Sequence, residues 1–283
     1  MRDWERNWRG AGVVPVNLRI RLLGFGVLVA AVLMLALSTL SRDAQAAKPD
    51  QATTIVLVHG AFASPAGWGG VADALHKDGY QTATPMLDLS SVACDVATVR
   101  STLDSIPGNK ILVGHSYGGF VITNAASGRS DVSGLVYAAA YAPESGETIT
   151  SMSVGYAAGA FLQHLLLAPA GFPFFIVDPQ FYAEDFAQDL NPKLGAEITE
   201  QQRPTSLGLF DTPSGPAAWH ALPSWYAVSG HDRAIDPALQ RFMAQRAGST
   251  TVEFAAASHV GGLTHYRARF VKLIEQAVQA TGA

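Results

Sequence analysis

Short apolar runs rich in β-branched residues alternate along this chain with stretches of helical periodicity. The clearest run, residues 54–58, is continuously apolar, as is typical of a strand buried on both faces of a parallel sheet. Similar runs follow at residues 110–114, 134–138, 224–228 and 251–254, with a weaker one at 81–84. This alternation predicts an α/β fold, with a mostly parallel six-stranded sheet and helices on both of its faces.

The first 47 residues have the composition of an export signal. Five arginines lie within residues 1–21, an uncharged stretch covers residues 22–40, and Ala44-Gln45-Ala46 fits a signal-peptidase site. The apolar stretch is also long enough to span a bilayer, so an uncleaved N-terminal anchor is the alternative. We therefore expect residues 48–283 to be periplasmic or secreted, or anchored and facing outside the cytoplasm. Any membrane attachment would come through this N-terminal segment alone.

Residues 48–283 are enough for one α/β domain with a sizeable core. Without the six basic and three acidic side chains of the leader, the formal net charge moves from −4 to about −7, and no cluster of lysine and arginine remains. Nucleic acid is therefore not an expected partner. Cys94 is the only cysteine, so an internal disulfide and a metal site built of cysteines are excluded.

One long segment, residues 143–223, interrupts the alternation. It has no clear strand pattern and is rich in proline, glycine and aromatic residues, as in Phe172-Pro173-Phe174-Phe175. A structureless insertion of roughly eighty residues would be unusual within a domain, and disordered segments are poor in aromatic residues. We therefore expect a small helical cap over the edge of the sheet.

The segment Gly114-His115-Ser116-Tyr117-Gly118-Gly119 lies between a predicted strand and a helical pattern. It matches G-x-S-x-G, in which a sharp and strained turn holds a serine hydroxyl above the sheet. The alternative is a glycine-rich connection between strand and helix in which the serine has no catalytic role. The position between a strand and a helix favours Ser116 as a nucleophile.

A serine hydroxyl needs a base to take its proton, and candidates follow the last two predicted strands. His259 comes after residues 251–254, and Asp232 comes after residues 224–228. Both lie at carboxyl ends of strands, where open α/β sheets place their sites, and the order Ser, Asp, His is the one expected with this elbow. We predict that His259 deprotonates Ser116 and later protonates the leaving group, while Asp232 orients the imidazole.

Other residues compete for these two roles. Asp236 precedes Pro237 and is better placed to cap the following helix. We expect His115 to be packed beneath the turn and His231, although next to Asp232, to point elsewhere. We expect His76 to be solvated and His265 to be a surface residue or a partner of a helix end.

His164 and His220 belong to the cap, where they could touch the substrate, but nothing in the sequence singles them out.

A tetrahedral intermediate also needs hydrogen-bond donors for its oxyanion. One is the backbone N–H of Tyr117, the residue after the predicted nucleophile. The second is expected from the loop after the first strand, where Gly60 permits a tight turn, and we assign it to the N–H of Ala61. Phe62 is expected near the mouth of the substrate pocket. The alternative is an ordinary strand-to-helix loop in which Gly60 serves only the backbone turn. The two interpretations overlap, because the role predicted for Ala61 also belongs to the backbone.

Four segments together resemble the α/β-hydrolase superfamily: Val58-His59-Gly60-Ala61-Phe62, Gly114-His115-Ser116-Tyr117-Gly118-Gly119, Asp232-Arg233-Ala234-Ile235 and Ser258-His259. The resemblance covers the chain after the leader except for the cap. It is greatest to the small six-stranded branch, which contains bacterial carboxylesterases, pyrethroid-hydrolase-like esterases, plant methylesterases and hydroxynitrile lyases. It implies ester hydrolysis with no metal or organic cofactor, an acyl-enzyme on Ser116, and oxyanion donors at Ala61 and Tyr117.

These features favour a serine hydrolase that cleaves carboxylic esters through Ser116, His259 and Asp232. An apolar cap suits a small apolar ester or lactone as the substrate. The alternatives are hydroxynitrile cleavage or perhydrolysis on the same three residues, and a ligand sensor with low turnover. Fold analogy does not separate these activities.

Overall fold

Strands and helices alternate through the computed structural model, which describes residues 53–283; the predicted leader lies outside these residues. The strands of the described residues are, in chain order, β1 (Thr54–Val58), β2 (Gln81–Ala83), β3 (Lys110–His115), β4 (Val132–Ala138), β5 (Leu165–Leu167), β6 (Phe174–Val177), β7 (Thr205–Ser206), β8 (Ser224–Ser229) and β9 (Thr250–Phe254). The helices are α1 (Gly69–Lys77), α2 (Val92–Ser105), α3 (Tyr117–Ala125), α4 (Ile149–Met152), α5 (Pro179–Phe186), α6 (Pro192–Glu200), α7 (Pro237–Arg246) and α8 (Arg267–Thr281).

The central sheet has six strands in the order β2-β1-β3-β4-β8-β9. Every neighbouring pair in it is parallel, so the predicted parallel sheet is confirmed. Parallel strands point their carboxyl ends to the same edge of the sheet. The loops after β1, β3, β8 and β9 therefore meet at one edge, and these loops carry the candidate functional residues.

The two faces of the sheet are covered by different helices. Val56 and Val58 of β1 pack into one apolar cluster with residues of α2, α3 and α7. Ile55 and Leu57, which point the other way, pack into a second cluster with residues of α1 and α8. This alternation follows from the two-residue period of a strand, and burial on both faces explains why β1 is continuously apolar.

The cap between β4 and β8 is not purely helical, contrary to the prediction. It contains α4, α5 and α6, but β5, β6 and β7 also form a small antiparallel sheet. These strands are two to four residues long, which is too short for alternation to be visible in the sequence. Among the residues described, no helix is both long and apolar enough to cross a bilayer.

Candidate active site

Ser116 lies at the junction of β3 and α3 in a backbone conformation that L-residues rarely adopt, with φ 57° and ψ −125°. Its N–H donates to the carbonyl of Ala138 at 3.2 Å, and its carbonyl accepts from the N–H of Tyr141 at 3.1 Å. A Cβ at Gly118 would lie 2.3 Å from the carbonyl oxygen of Val58. The neighbouring backbone thus comes so close that only glycine fits, and this packing holds the serine in its strained turn.

The imidazole of His259 and the carboxylate of Asp232 form a buried hydrogen-bonded pair. The distance from His259 Nδ1 to Asp232 Oδ2 is 2.7 Å, and both residues are more than nine-tenths buried. Asp232 Oδ1 accepts from the backbone N–H groups of Ala234 at 2.7 Å and Ile235 at 3.0 Å. Because these bonds fix the carboxylate and the carboxylate faces Nδ1, the free Nε2 of His259 is directed away from the acid.

Gln240 is a buried residue of α7 that sequence reasoning missed. Its Nε2 donates to Asp232 Oδ2 at 2.7 Å and to the carbonyl of Ile235 at 3.0 Å, and its Oε1 accepts from the N–H of Ser229 at 3.0 Å. Gln240 therefore joins the end of β8 to the carboxylate that orients His259. A glutamine in an amphipathic helix has no sequence signal for this role, which depends on the packing of α7 against β8.

His115 supports His259 from below the elbow. Its Nε2–H donates to the backbone carbonyl of His259 at 3.0 Å, and the two ring centroids are 4.6 Å apart. Burial lowers the pKa of His115 to about 3, so this ring is neutral at ordinary pH. His115 is thus packed beneath the turn, as predicted, and it connects the elbow to the loop that carries His259.

No hydrogen bond joins Ser116 Oγ to His259 within the described part of the chain; such bonds are often long in unliganded sites.

The loop after β1 brings Gly60 and Ala61 against the elbow. A Cβ at Gly60 would lie 2.8 Å from the Cβ of Ser116, so a larger residue would collide with the serine. Among the loop and turn hydrogen bonds of the described residues, none uses the N–H of Ala61. The N–H of Tyr117, in the first turn of α3, likewise has no intrahelical acceptor. Both groups are therefore available to an oxyanion.

His59 fixes the same loop. The N–H of Leu87 donates to His59 Nε2 at 3.1 Å, which leaves Nδ1 to donate to the carbonyl of Gly60 at 2.9 Å. Burial lowers the pKa of His59 to about 4. The neutral ring therefore acts as a bridge between two backbone segments.

Phe62 does not lie at the mouth of a pocket, contrary to the expectation. Its side chain is only 1% exposed and packs beside Phe161 and Phe210, and it forms part of the inner wall of a cavity that Ser116 also lines. Its backbone has a positive φ of 55° and is held by the cap: its N–H donates to Thr205 Oγ1 at 2.8 Å, and its carbonyl accepts from the hydroxyl of Tyr182 at 2.9 Å. These cap contacts were not visible in the sequence.

The competing residues lie elsewhere. Asp236 caps α7, accepting from the N–H of Ala238 at 2.8 Å, as predicted. His164 pairs with Asp185 in the cap, and His220 pairs with Glu144. His231 and His265 are exposed, and His76 bonds the hydroxyl of Thr82 on the surface. Within residues 53–283 no group of three or more His, Cys, Asp or Glu side chains is arranged to hold a metal ion.

Two cavities meet beside the elbow. The first, of about 240 Å³, is lined by Ser116 and we call it the serine-side cavity. The second, of about 520 Å³, is lined by His259 and we call it the histidine-side cavity. Ala61 and Phe186 line both cavities and therefore lie where the two meet.

Three comparisons place these features among known proteins. The sequence model described as "Alpha/beta hydrolase family" matches residues 55–273. The chain is 26% identical over 214 residues to the alpha/beta hydrolase nvfD of Aspergillus novofumigatus, covering 68% of this chain and 83% of that protein. It is 36% identical over 110 residues to a carbendazim hydrolyzing esterase of Nocardioides sp., covering 34% of this chain and 46% of that one. A pyrethroid hydrolase from Sphingobium faniae has the same fold, with a TM-score of 0.66 and 22% identity over 82% of this chain and 99% of that one.

Proposed function

The chain belongs to the alpha/beta hydrolase family, and from this premise we propose that it is a serine hydrolase that cleaves carboxylic esters. The observation that carries this proposal is the buried hydrogen bond between His259 and Asp232, next to a strained elbow that holds Ser116 at a cavity. The curated relative with 36% identity over a shorter stretch is itself named as an esterase.

In the proposed acylation step, Ser116 Oγ attacks the carbonyl carbon of the ester while His259 Nε2 takes the hydroxyl proton. The carbonyl oxygen becomes an oxyanion, which accepts hydrogen bonds from the N–H groups of Ala61 and Tyr117. When the intermediate collapses, the bond to the alkoxy oxygen breaks. His259 then returns the proton to that oxygen, and the alcohol leaves an acyl group on Ser116.

Deacylation repeats the same proton transfers with water in place of the serine. His259 takes a proton from water as the water oxygen attacks the acyl carbon, and it then protonates Ser116 Oγ as the acid departs. Asp232 stabilises the imidazolium formed in both halves of the reaction, without taking a proton itself.

The first experiment compares the wild type with Ser116→Ala and with Ser145→Ala, a control at an exposed loop serine. We expect the wild type and the control to hydrolyse a short p-nitrophenyl ester and to be labelled by a fluorophosphonate. Ser116→Ala should lose labelling, and its kcat should fall by about 10⁴- to 10⁶-fold. Equal labelling of all three proteins would refute the proposal. Labelling without ester turnover would favour a lyase, a perhydrolase or a sensor.

We also propose that the protein is exported by its N-terminal segment. The support is the order of basic, apolar and small residues in the first 47 positions. N-terminal sequencing of protein recovered from outside the cytoplasm should start close to Ala47 or Lys48. Recovery of the intact chain in the membrane fraction would indicate an anchor, and recovery in the cytoplasm would refute export.

A further inference from the structure

We propose that the substrate spans both cavities in one orientation, with its acyl group in the serine-side cavity and its alcohol in the histidine-side cavity. The substrate class that follows is an ester of an apolar acyl group with a larger, hydrogen-bonding alcohol. This inference rests on the proposed ester hydrolysis, because only an acyl-transfer reaction assigns one side of the site to the leaving group.

The direction follows from which catalytic group lines which cavity. Ser116 lines the smaller cavity, and His259 lines the larger one. In acyl transfer the acyl carbon becomes bonded to Ser116 Oγ, whereas the leaving oxygen receives its proton from the imidazole. The leaving group must therefore lie on the imidazole side. Ala61, whose N–H is the proposed oxyanion donor, borders both cavities, so the carbonyl group of a substrate that spans them would lie beside this residue.

The wall of the serine-side cavity is mostly apolar and aromatic. A cavity of about 240 Å³ is slightly smaller than most ligand pockets of proteins, which suits an acyl group of moderate size. Apolar contacts give affinity here without requiring a polar group on the acyl chain. The side chains that form this wall include Tyr141, Ile149, Phe161, Phe210, Ile235 and Leu239.

The histidine-side cavity has a different chemistry and more than twice the volume. Its wall is mixed, and beside apolar residues it contains the polar side chains of Asp189, Asn191, Glu197, Gln201, Thr264 and Arg267. These side chains offer both hydrogen-bond donors and acceptors, and charges of both signs occur among them. A neutral alcohol with several hydroxyl groups can form hydrogen bonds with these side chains. An alkyl alcohol would displace water from them without replacing the hydrogen bonds of that water.

Two exposed alanines provide a matched pair of variants. Ala158 lines only the serine-side cavity and Ala66 only the histidine-side cavity, and neither belongs to the catalytic machinery. Replacing each with tryptophan narrows one cavity from its exposed rim, where a large side chain leaves the core packing unchanged. The substrates are acetyl and octanoyl esters, each prepared with methanol, hexanol and glycerol.

For the wild type we expect kcat/KM to be at least about tenfold higher for glyceryl octanoate than for hexyl octanoate, since the glyceryl group can form hydrogen bonds with the polar side chains of the histidine-side cavity and the hexyl chain cannot. Ala158→Trp should lower kcat/KM for octanoyl esters about tenfold relative to acetyl esters, whichever alcohol is present. Ala66→Trp should lower kcat/KM about tenfold for glyceryl esters relative to methyl esters, whichever acyl group is present.

The outcomes separate this inference from the proposed function. The orientation is wrong if Ala158→Trp changes kcat/KM according to the alcohol and Ala66→Trp according to the acyl group. It is also wrong if each variant affects kcat/KM equally for both halves of the ester, or not at all. In all of these cases the proposed ester hydrolysis stands. A wild-type preference for the hexyl ester would overturn the polar alcohol. If the wild type neither turns over any of these esters nor labels at Ser116, ester hydrolysis itself fails, and the orientation fails with it. Unchanged circular dichroism spectra and unfolding midpoints of both variants show that they are folded.

Discussion

Ser116 combines a side chain needed for chemistry with a backbone conformation that favours glycine. With φ at 57° and ψ at −125°, the Cβ of this residue is a source of strain, and conformations of this kind cost about 1–3 kcal/mol. The strain persists because the chain packs closely around the elbow at Gly60 and Gly118. The proposed nucleophile is thus held at a cost to stability.

This strain leads to a prediction about two inactive variants. The free energy of unfolding of Ser116→Gly should be about 1 kcal/mol higher than that of Ser116→Ala. Glycine relieves the strain at Cβ, and this gain exceeds the larger backbone entropy that glycine loses on folding. Urea denaturation of both variants measures the difference. A higher stability of the alanine variant would show that the elbow is not strained.

Gln240 should affect the reaction through Asp232. Gln240→Met keeps the volume of the side chain but removes the donor to Asp232 and leaves the N–H of Ser229 without its acceptor. We expect kcat for a p-nitrophenyl ester to fall by up to about 100-fold with little change in KM, because the imidazole is misplaced. The free energy of unfolding should fall by about 1–3 kcal/mol.

Arg241→Gln, on the exposed side of the same helix, is the control and should retain its kcat. If Gln240→Met loses stability but keeps kcat and KM, Gln240 is only structural.

Single residues differ in how well a sequence reveals them. Ser116, Asp232 and His259 were identified because each follows a recognisable strand and the elbow has a local pattern. The structure brings Asp232 and His259 into hydrogen-bond contact, and their role in catalysis stays a prediction. Gln240 could not be identified, because its function comes from contacts between α7 and β8 that no local pattern encodes.

At the scale of secondary-structure elements, the cap and the loop after β1 act as one unit. Thr205 in β7 and Tyr182 in α5 hold the two backbone polar groups of Phe62, the residue next to the proposed donor Ala61. The position of the cap therefore influences the geometry of the proposed oxyanion site. A cap that shifts would move the N–H of Ala61 as well.

Removing the Thr205 hydroxyl tests this coupling. In Thr205→Val the buried N–H of Phe62 loses its acceptor, which costs about 1–3 kcal/mol, so the loop should move away from the serine. We expect kcat to fall about tenfold or more, with the rate of fluorophosphonate labelling reduced in parallel. Thr199→Val, on cap helix α6, is the control. Full activity in Thr205→Val would show that the loop is held without the cap.

The elements of the central sheet were predictable, while those of the cap were only partly so. The inner strands β1, β3, β4 and β8 are almost wholly buried and carry long apolar runs, whereas the edge strands β2 and β9 are partly exposed and less apolar. In the cap, β5, β6 and β7 are only two to four residues long, and β5 and β6 lie partly at the surface. The sequence indicated a packed cap through its aromatic residues. It did not indicate the small sheet, because pairs of such short strands are specified by their neighbours and not by their own periodicity.

For the molecule as a whole, two buried histidines beneath the site make folding depend on pH. Burial lowers the pKa of His59 to about 4 and of His115 to about 3, below the value of about 6.5 expected in the unfolded chain. At pH values between the folded and the unfolded pKa, the unfolded chain binds more protons than the folded protein. The free energy of unfolding is therefore highest above about pH 6.5 and falls as the pH is lowered. Each histidine should contribute a loss of about 1–2 kcal/mol between pH 7 and pH 5.

The measurement is urea unfolding of the wild type and of His115→Gln at several pH values. Glutamine keeps a donor for the carbonyl of His259 but does not titrate, so the variant should lose less stability between pH 7 and pH 5 than the wild type. His76→Gln, at an exposed position, should follow the wild-type curve. An unchanged slope in His115→Gln would mean that His115 is protonated as readily in the folded protein as in the unfolded chain.

The strand order has a consequence for biosynthesis. From β1 onward the sheet extends through β3, β4, β8 and β9 in the order in which the ribosome makes them, and only β2 is added on the other side. A nascent chain that ends before Thr250 already contains the elbow, the loop after β1 and the cap, but it has no His259. We therefore expect esterase activity to appear only when translation is almost complete. Fragments that result from premature termination should have no esterase activity.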